Sequence, residues 1–511
     1  MNSAKNELGY FPQMPICDKH LQSDLSSDFT LPDYKSEIRR LLCVKAHAIV
    51  PSEYFSNANA QLECDVNYNI LYLGADGELY SLDLCDKCGF KLPLDFGPHA
   101  VNPDEITILS EAKAENVNAK VLGPRKLNLK SKVSLHALCL TPEFYNPNIV
   151  GSHNKGGIET LILTTPMANI KKCASEPEII SDLISLDKAG ENTRVIDMQA
   201  TVSISECSAS SGQINARGEV IMRVLYCNDL QNSLPISHTR KIPFSKTIEC
   251  DGINNTYECS CFGIATDSEI DVTDEGINVG CTLNIYARAQ KNDEVYYIAD
   301  AYSTEKEGVP SYMDVELLSS LRSANGNLTQ NEVVSLDTLS ISPDAKIIDV
   351  CANACTEEVC LEHNHISIKG KCNYQIIYYL DGEYACKDYS APFKYEIDCK
   401  HNKNTCRTIK WWAQVGISST KSRMDHEKIF IDSELGFDIF ALDEGNINLI
   451  SELILGQVRN EKDGELLLCY PERDATLWNV GKQYGKPVSK IKKRNSIPEN
   501  ETAVKRRFLV V

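Results

Sequence analysis

Asn69-Ile70-Leu71-Tyr72, Arg223-Val224-Leu225-Tyr226 and Gln375-Ile376-Ile377-Tyr378 are one phrase written three times. A basic-apolar run stands ahead of each: Arg40-Leu41-Leu42, Arg194-Val195-Ile196 and Lys346-Ile347-Ile348. The last residue of each run lies 30 positions before its tyrosine. A fixed internal spacing in three places means one structural unit used three times.

The match continues downstream. Phe90 with Leu94-Asp95, Phe244 with Ile248-Glu249 and Phe393 with Ile397-Asp398 share the spacing Phe-x-x-x-(Leu/Ile)-(Asp/Glu). A closing phrase follows: Leu127, Leu129, Val133, Leu135 and Ala137 align with Ile277, Val279, Leu283, Ile285 and Ala287, and with Ile429, Ile431, Leu435, Phe437 and Ile439. All intervals in that phrase are even, which puts the side chains on one face of a strand. Asp76-Gly77 and Asp381-Gly382 suit the positive φ angles of tight hairpins; Asn228-Asp229 is a weaker signal at the same place. The expected fold class is mainly β: three antiparallel, sandwich-like modules of roughly a hundred residues, each a two-sheet sandwich or an open barrel, with the repeated aromatics as core.

The boundaries read from these phrases are a tail over 1–29, modules over 30–142, 187–300 and 339–445, connectors over 143–186 and 301–338, and a linker over 446–464. A small terminal domain remains over 465–511. Length alone sets a prior of three to four domains for 511 residues. Met1–Asp33 holds no apolar run suited to a signal peptide, and no stretch approaches the ~20 apolar residues of a membrane span. Cytoplasmic residence is expected. The 21 cysteines do not recur from module to module, so they read as small buried residues in a reducing compartment.

Charge is uneven. Residues 471–511 hold ten Lys or Arg against four acids, a net +6, which leaves −25 on residues 1–470 within a whole-chain total of −19. An acidic body disfavours nucleic acid and anionic membranes as partners. The basic tail reads as a strand over 466–470, a helix capped by Thr476 and stopped by Gly485, a second helix over 488–495 that Pro487 opens, and a returning strand over 508–511. Trp478 reads as a core anchor between the two helices.

No phosphate-cradling glycine loop, nucleophile elbow or metalloprotease helix motif is present, so no enzyme activity and no cofactor are expected. Cys351, Cys355, Cys360, His363 and His365 offer enough ligands for zinc. The plainer reading is a hairpin with buried cysteines and exposed histidines, because the other two copies lack these residues. Cys85-x-x-Cys88 is only half a metal or redox site. Of the adjacent Trp411 and Trp412, strand geometry puts one on the outer face as a candidate contact.

Thr476-Leu477-Trp478, Tyr484-Gly485, Val488, Ile491 and Asn495 resemble the LysM family of βααβ glycan-binding modules. Phe29-Thr30-Leu31-Pro32-Asp33-Tyr34, followed by Ile38-Arg39-Arg40-Leu41-Leu42, looks like the opening of the SPOCS domain of spore-forming Firmicutes. Three SPOCS domains with a C-terminal LysM are similar to the SipL family of clostridial spore-coat morphogenetic proteins. That resemblance implies a mother-cell assembly factor at the forespore surface. It also implies contact between the LysM domain and the coat scaffold ATPase, stage IV sporulation protein A, and with other coat proteins. Two departures stand out: Asp474-Ala475 replaces the usual Gly-Asp, and Lys505-Arg506-Arg507 stands near the place of a missing Pro-Gly turn. Both sugar-facing loops are therefore altered. A protein-docking surface around Arg473, Asp474, Lys486, Asn495, Ser496 and Arg506 is expected, with peptidoglycan or N-acetylglucosamine binding as the alternative.

Overall fold

The computed structural model describes residues 7–56, 59–94, 105–150, 157–186, 193–228, 234–362, 364–399, 409–459, 467–472, 475–503 and 508–511. The first module contains β1 (Tyr10–Thr30), β2 (Ile38–Ser56), β3 (Asn59–Gly74), β4 (Leu79–Pro93), β5 (Thr107–Gly123) and β6 (Lys126–Phe144). Its two antiparallel sheets run β1-β6-β5 and β2-β3-β4. A short β7 (Asn148–Val150) leaves it and pairs in parallel with the last long strand of the third module.

The second module contains β8 (Ile158–Ala174), β9 (Glu178–Ser185), β10 (Arg194–Ser210), β11 (Gln213–Cys227), β12 (Ile236–Glu249), β13 (Glu258–Thr273) and β14 (Gly276–Ser303). The third contains β15 (Lys306–Ser335), the single turn α1 (Leu336–Leu339), β16 (Lys346–Glu362), β17 (His365–Leu380), β18 (Glu383–Asp398), β19 (Ile409–Asp425) and β20 (Lys428–Val458). Their sheets repeat the plan, with β10-β11-β12 and β16-β17-β18 facing sheets centred on β14 and β20. Among the described residues, no helix is long and apolar enough to cross a membrane.

The periodicity is realised as expected. Tyr72, Tyr226 and Tyr378 are buried in three separate module cores, together with Phe90, Phe244 and Phe393 and the closing-phrase residues of β6, β14 and β20. The third-module hairpin is a two-residue loop, with Asp381 at φ +50° and Gly382 at φ +87° joining Leu380 to Glu383. Both central residues in the left-handed region match the twist of the flanking strands.

The modules extend beyond the boundaries drawn from the phrases. β1 occupies most of the expected tail and pairs with β6 along its whole length. β8 and β9 lie in the expected 143–186 connector and run along one edge of β14. β15 fills the expected 301–338 connector, and β20 continues through Val458 into the expected linker. The edge strands β1 and β15 are half exposed and polar on one face. They carry no apolar phrase that repeats.

Register explains why the opening phrase is continuously apolar. Along β3 burial alternates up to Asn69, and then every residue from Ile70 to Gly74 is buried. Ile70 and Tyr72 enter the module's own core, whereas Leu71 and Leu73 enter a second cluster. Leu225 and Cys227 of β11 and Ile377 of β17 join that second cluster. Each basic-apolar run carries a β-bulge at its last residue: the register breaks between Leu41 and Cys43, Val195 and Asp197, and Ile347 and Asp349. The bulged Leu42, Ile196 and Ile348 all reach the shared cluster, because a bulge re-aims one side chain.

The three modules therefore close around a common centre. β4 meets β10, β12 meets β16, and β18 meets β2, a cyclic set of equivalent contacts. The basic residue of the run bonds the neighbouring hairpin: Arg194 donates to the Leu79 carbonyl at 2.9 Å, and Arg40 donates to the equivalent Tyr384 carbonyl. Polar groups line one side of the centre. Arg223 replaces the Asn69 and Gln375 of the other copies and pairs with Asp349, with Asp197 at 3.9 Å. The opposite sheets form a second joint, in which Leu138, Ile170, Trp412 and Phe440 pack together beside a buried Arg288–Asp438 pair.

Candidate functional site

The tail folds as β21 (Leu468–Cys469), α2 (Leu477–Tyr484), α3 (Val488–Arg494) and β22 (Leu509–Val510), with β21 and β22 antiparallel. The Thr476 hydroxyl accepts from the Asn479 amide at 3.2 Å, and Gly485 ends α2 at φ +63°. Cap and stop are those read from the sequence. Pro487 is the N-cap of α3, which begins at Val488 as the sequence suggested. Cys469, Leu477, Val480, Ile491, Leu509 and Val511 form the small core.

Trp478 is not part of that core. It is half-buried, its Nε1 donates to Asp300 at 2.8 Å, and its ring meets Tyr302 edge-on at 4.8 Å. Lys482, one turn on, donates to both Asp300 oxygens at 2.7 Å and to the Tyr312 hydroxyl at 2.8 Å. Tyr302 donates to the Lys486 carbonyl at 2.8 Å. One face of α2 is thus docked on the end of β14 and the start of β15. The tryptophan faces outward from its own helices because its polar edge has a carboxylate to satisfy there.

Burial alone would raise the Asp300 pKa. Hydrogen bonds from Lys482, Trp478 and Tyr312 outweigh it and hold the carboxyl below the usual range. Burial alone would lower Lys482, but Asp300 and Tyr312 raise it. The depressed carboxyl stabilises docking above its unfolded value of about 4, and that contribution fades as pH falls through the lower folded value. The raised lysine loses its contribution only above about 10.4. Docking is therefore expected to be flat in pH between those limits. Asp300→Asn should cost about 1.5–3 kcal/mol of docking. Hydrogen exchange should report faster opening of α2 without loss of the module cores; unchanged α2 protection would refute the assignment.

The three described residues of the expected contact set take different places. Asn495 is buried, donating to the Ile491 and Val510 carbonyls at 2.9 and 2.7 Å and accepting from the Val510 amide at 2.8 Å, so it fixes β22. Lys486 is half-buried at the Tyr302 joint, and Ser496 is exposed at φ +52°. Arg473, Asp474 and Arg506 lie outside the described residues, as do Lys505 and Arg507. In α3, Lys492 turns inward to the Glu499 carbonyl, whereas Lys490, Lys493 and Arg494 remain exposed.

A surface not anticipated lies on the outer face of the β21–β22 pair. Cys469 and Leu509 point inward, so Leu468, Tyr470 and Phe508 point outward, at 45%, 69% and 50% exposure. The Tyr470 and Phe508 rings lie 6.3 Å apart. Arg494 donates to the Val511 carbonyl at 2.8 Å, which places the basic end of α3 beside this apolar face. The alternation of Leu468, Cys469 and Tyr470 was the sequence signal for it.

The cysteine–histidine set of the third module does not converge. Cys351 and Cys360 are nine residues apart on β16, about 30 Å along a strand. Cys351 is buried at the inter-module centre, Cys355 is exposed, and His365 pairs with Asp398 at 2.8 Å. His363 lies outside the described residues. Cys85 is exposed while Cys88 packs toward the first module's core, so that pair is split between two faces. Of the twenty described cysteines, only Cys85 and Cys355 are exposed. Of the two adjacent tryptophans, Trp412 is fully buried between modules and Trp411 lies under the Lys113 ammonium at 5.2 Å.

No curated protein matches the chain, and no solved structure matches it. The stretch from just before β10 to the end of β13, residues 193–273, matches the family model described as SipL, SPOCS domain.

Proposed function

We propose that this chain is a non-enzymatic assembly factor of the spore coat, working in the mother cell at the forespore surface. In this reading the three β-modules are a rigid platform that contacts other coat proteins. The terminal βααβ unit is a LysM-type domain that docks on the coat scaffold ATPase, stage IV sporulation protein A. The SipL-type match within the second module supports the sporulation setting. The observation that carries the docking is the apolar outer face of Leu468, Tyr470 and Phe508, with Arg494 at its end and Lys490 and Lys493 exposed on the same helix. An exposed apolar patch with a charged rim is the usual form of a protein contact. The basic rim calls for an acidic partner surface.

The test uses the full chain and the purified scaffold ATPase. Lys490→Glu with Lys493→Glu should weaken binding on the order of ten-fold, and the loss should shrink at high salt. Tyr470→Ser with Phe508→Ser should weaken it at all salt concentrations. The same two aromatics favour a second reading, since they could stack on sugar rings. Retention on insoluble peptidoglycan with no binding to the ATPase would replace the first reading with that one.

A further inference from the structure

Where the first and third modules meet, two imidazoles and a carboxylate gather on one sheet face. His20 of β1 lies directly opposite His136 of β6, and Asp18 is two residues along the same strand and face. The His136 Nε2 is 3.0 Å from Asp18 Oδ1, and the two histidine rings stack with centroids 4.0 Å apart. One ligand atom from each of the three residues lies within 4.8 Å of the others. Trp412 stacks on the far side of His136 at 5.0 Å and fixes that ring.

We propose that Asp18, His20 and His136 form a binding site for a divalent transition-metal ion of the zinc type, placed at the joint between the first and third modules. Two imidazole nitrogens and one carboxylate oxygen are the three-ligand donor set of open zinc sites, with water as the fourth ligand. The surroundings supply the outer contacts such a site needs. The second Asp18 oxygen accepts from Lys410 at 2.7 Å, and Lys410 also lies 3.2 Å from Glu316 and 3.8 Å from Glu444. Around Lys410, the carboxylates of Asp18, Glu316 and Glu444 outnumber the ammonium, which favours a cation there. A cavity of about 550 Å³ bounded by Asp18, Lys19, Pro93, Leu94 and Glu316 opens beside the site and gives an ion a way in. Parallel rings hold their lone pairs in parallel planes, so binding requires one ring to turn. His136 is clamped by Trp412 and Asp18; His20 is exposed and turns about its Cβ–Cγ bond. Neither the Cys351 set nor any cysteine takes part.

The test titrates chelator-treated full chain with Co²⁺, followed by calorimetry and visible absorption. One equivalent is expected, with d–d bands and no thiolate-to-cobalt charge transfer. Losing an outer-shell partner costs 10–100-fold in metal affinity, so His20→Gln and His136→Gln should each weaken binding by at least about 100-fold. His20→Gln removes little packing, and its circular dichroism should match the parent. Three results would overturn the site: no saturable binding by the parent, unchanged affinity in His20→Gln, or a charge-transfer band abolished by Cys355→Ser with Cys360→Ser.

Discussion

Replacing Arg223 with methionine is expected to destabilise the joined modules by about 3–5 kcal/mol, because it leaves buried carboxylates without their counter-charge. Arg223 pairs with Asp349, lies 3.9 Å from Asp197, and sends its second nitrogen to Cys351 Sγ at 3.7 Å. All three side chains of the charged set are nearly buried. Removing the cation strands two anions in a low-dielectric centre, a larger penalty than the pair's own net worth. Asp349→Leu added to Arg223→Met should therefore recover part of the loss. Urea denaturation of the full chain measures both. Hydrogen exchange should localise the change to β3, β10 and β16, which surround the centre. A single-variant effect within about 0.5 kcal/mol, the scale of an ordinary surface change, would show that this centre is solvated.

Trp412→Ala should cost a similar amount, about 3–5 kcal/mol, by leaving a cavity at the other joint. Trp412 is fully buried between His136 of the first module and Phe440 of its own, at ring separations of 5.0 and 5.9 Å. Its neighbour Trp411 points to the other face of β19 and is only half-buried. Trp411→Ala should cost less, about 1–2 kcal/mol. Thermal unfolding of the two variants side by side checks the difference. Equal losses would contradict the assignment of Trp412 to the inter-module joint.

Much of each module was legible in the sequence because it depends on short-range periodicity. The even-spaced closing phrases become β6, β14 and β20, and the Asp-Gly pair of the third copy becomes its two-residue hairpin. The edge strands were not legible for the same physical reason in reverse. Residues such as His20, Gln22, Asp24 and Ser26 of β1 are ordered by their partner in β6, not by an apolar face of their own. The joints between modules left an ambiguous trace. A run like Ile70-Leu71-Tyr72-Leu73 is apolar on both faces, but that does not say what covers the second face. In the terminal unit, the caps and helices were readable from local chemistry. The direction of Trp478 was not, because its partner Asp300 lies far off in the chain. Likewise Asn495 reads as a loop polar residue until the β22 backbone it serves is in place.

The lone arginine at the centre has one more consequence. Three like objects on a string can be seated around a table in two orders, clockwise or anticlockwise, and their matching hydrophobic edges do not distinguish the two. Arg223 does, because only one copy carries it and its acceptors Asp349 and Cys351 belong to one particular neighbour. In the opposite seating it would face the first copy, where Cys43 stands at the place of Asp349 and Lys45 at the place of Cys351. That seating would set an arginine against a lysine and leave Asp349 without its counter-charge. A single substitution among three repeats thus favours one handedness of the assembly over its mirror order.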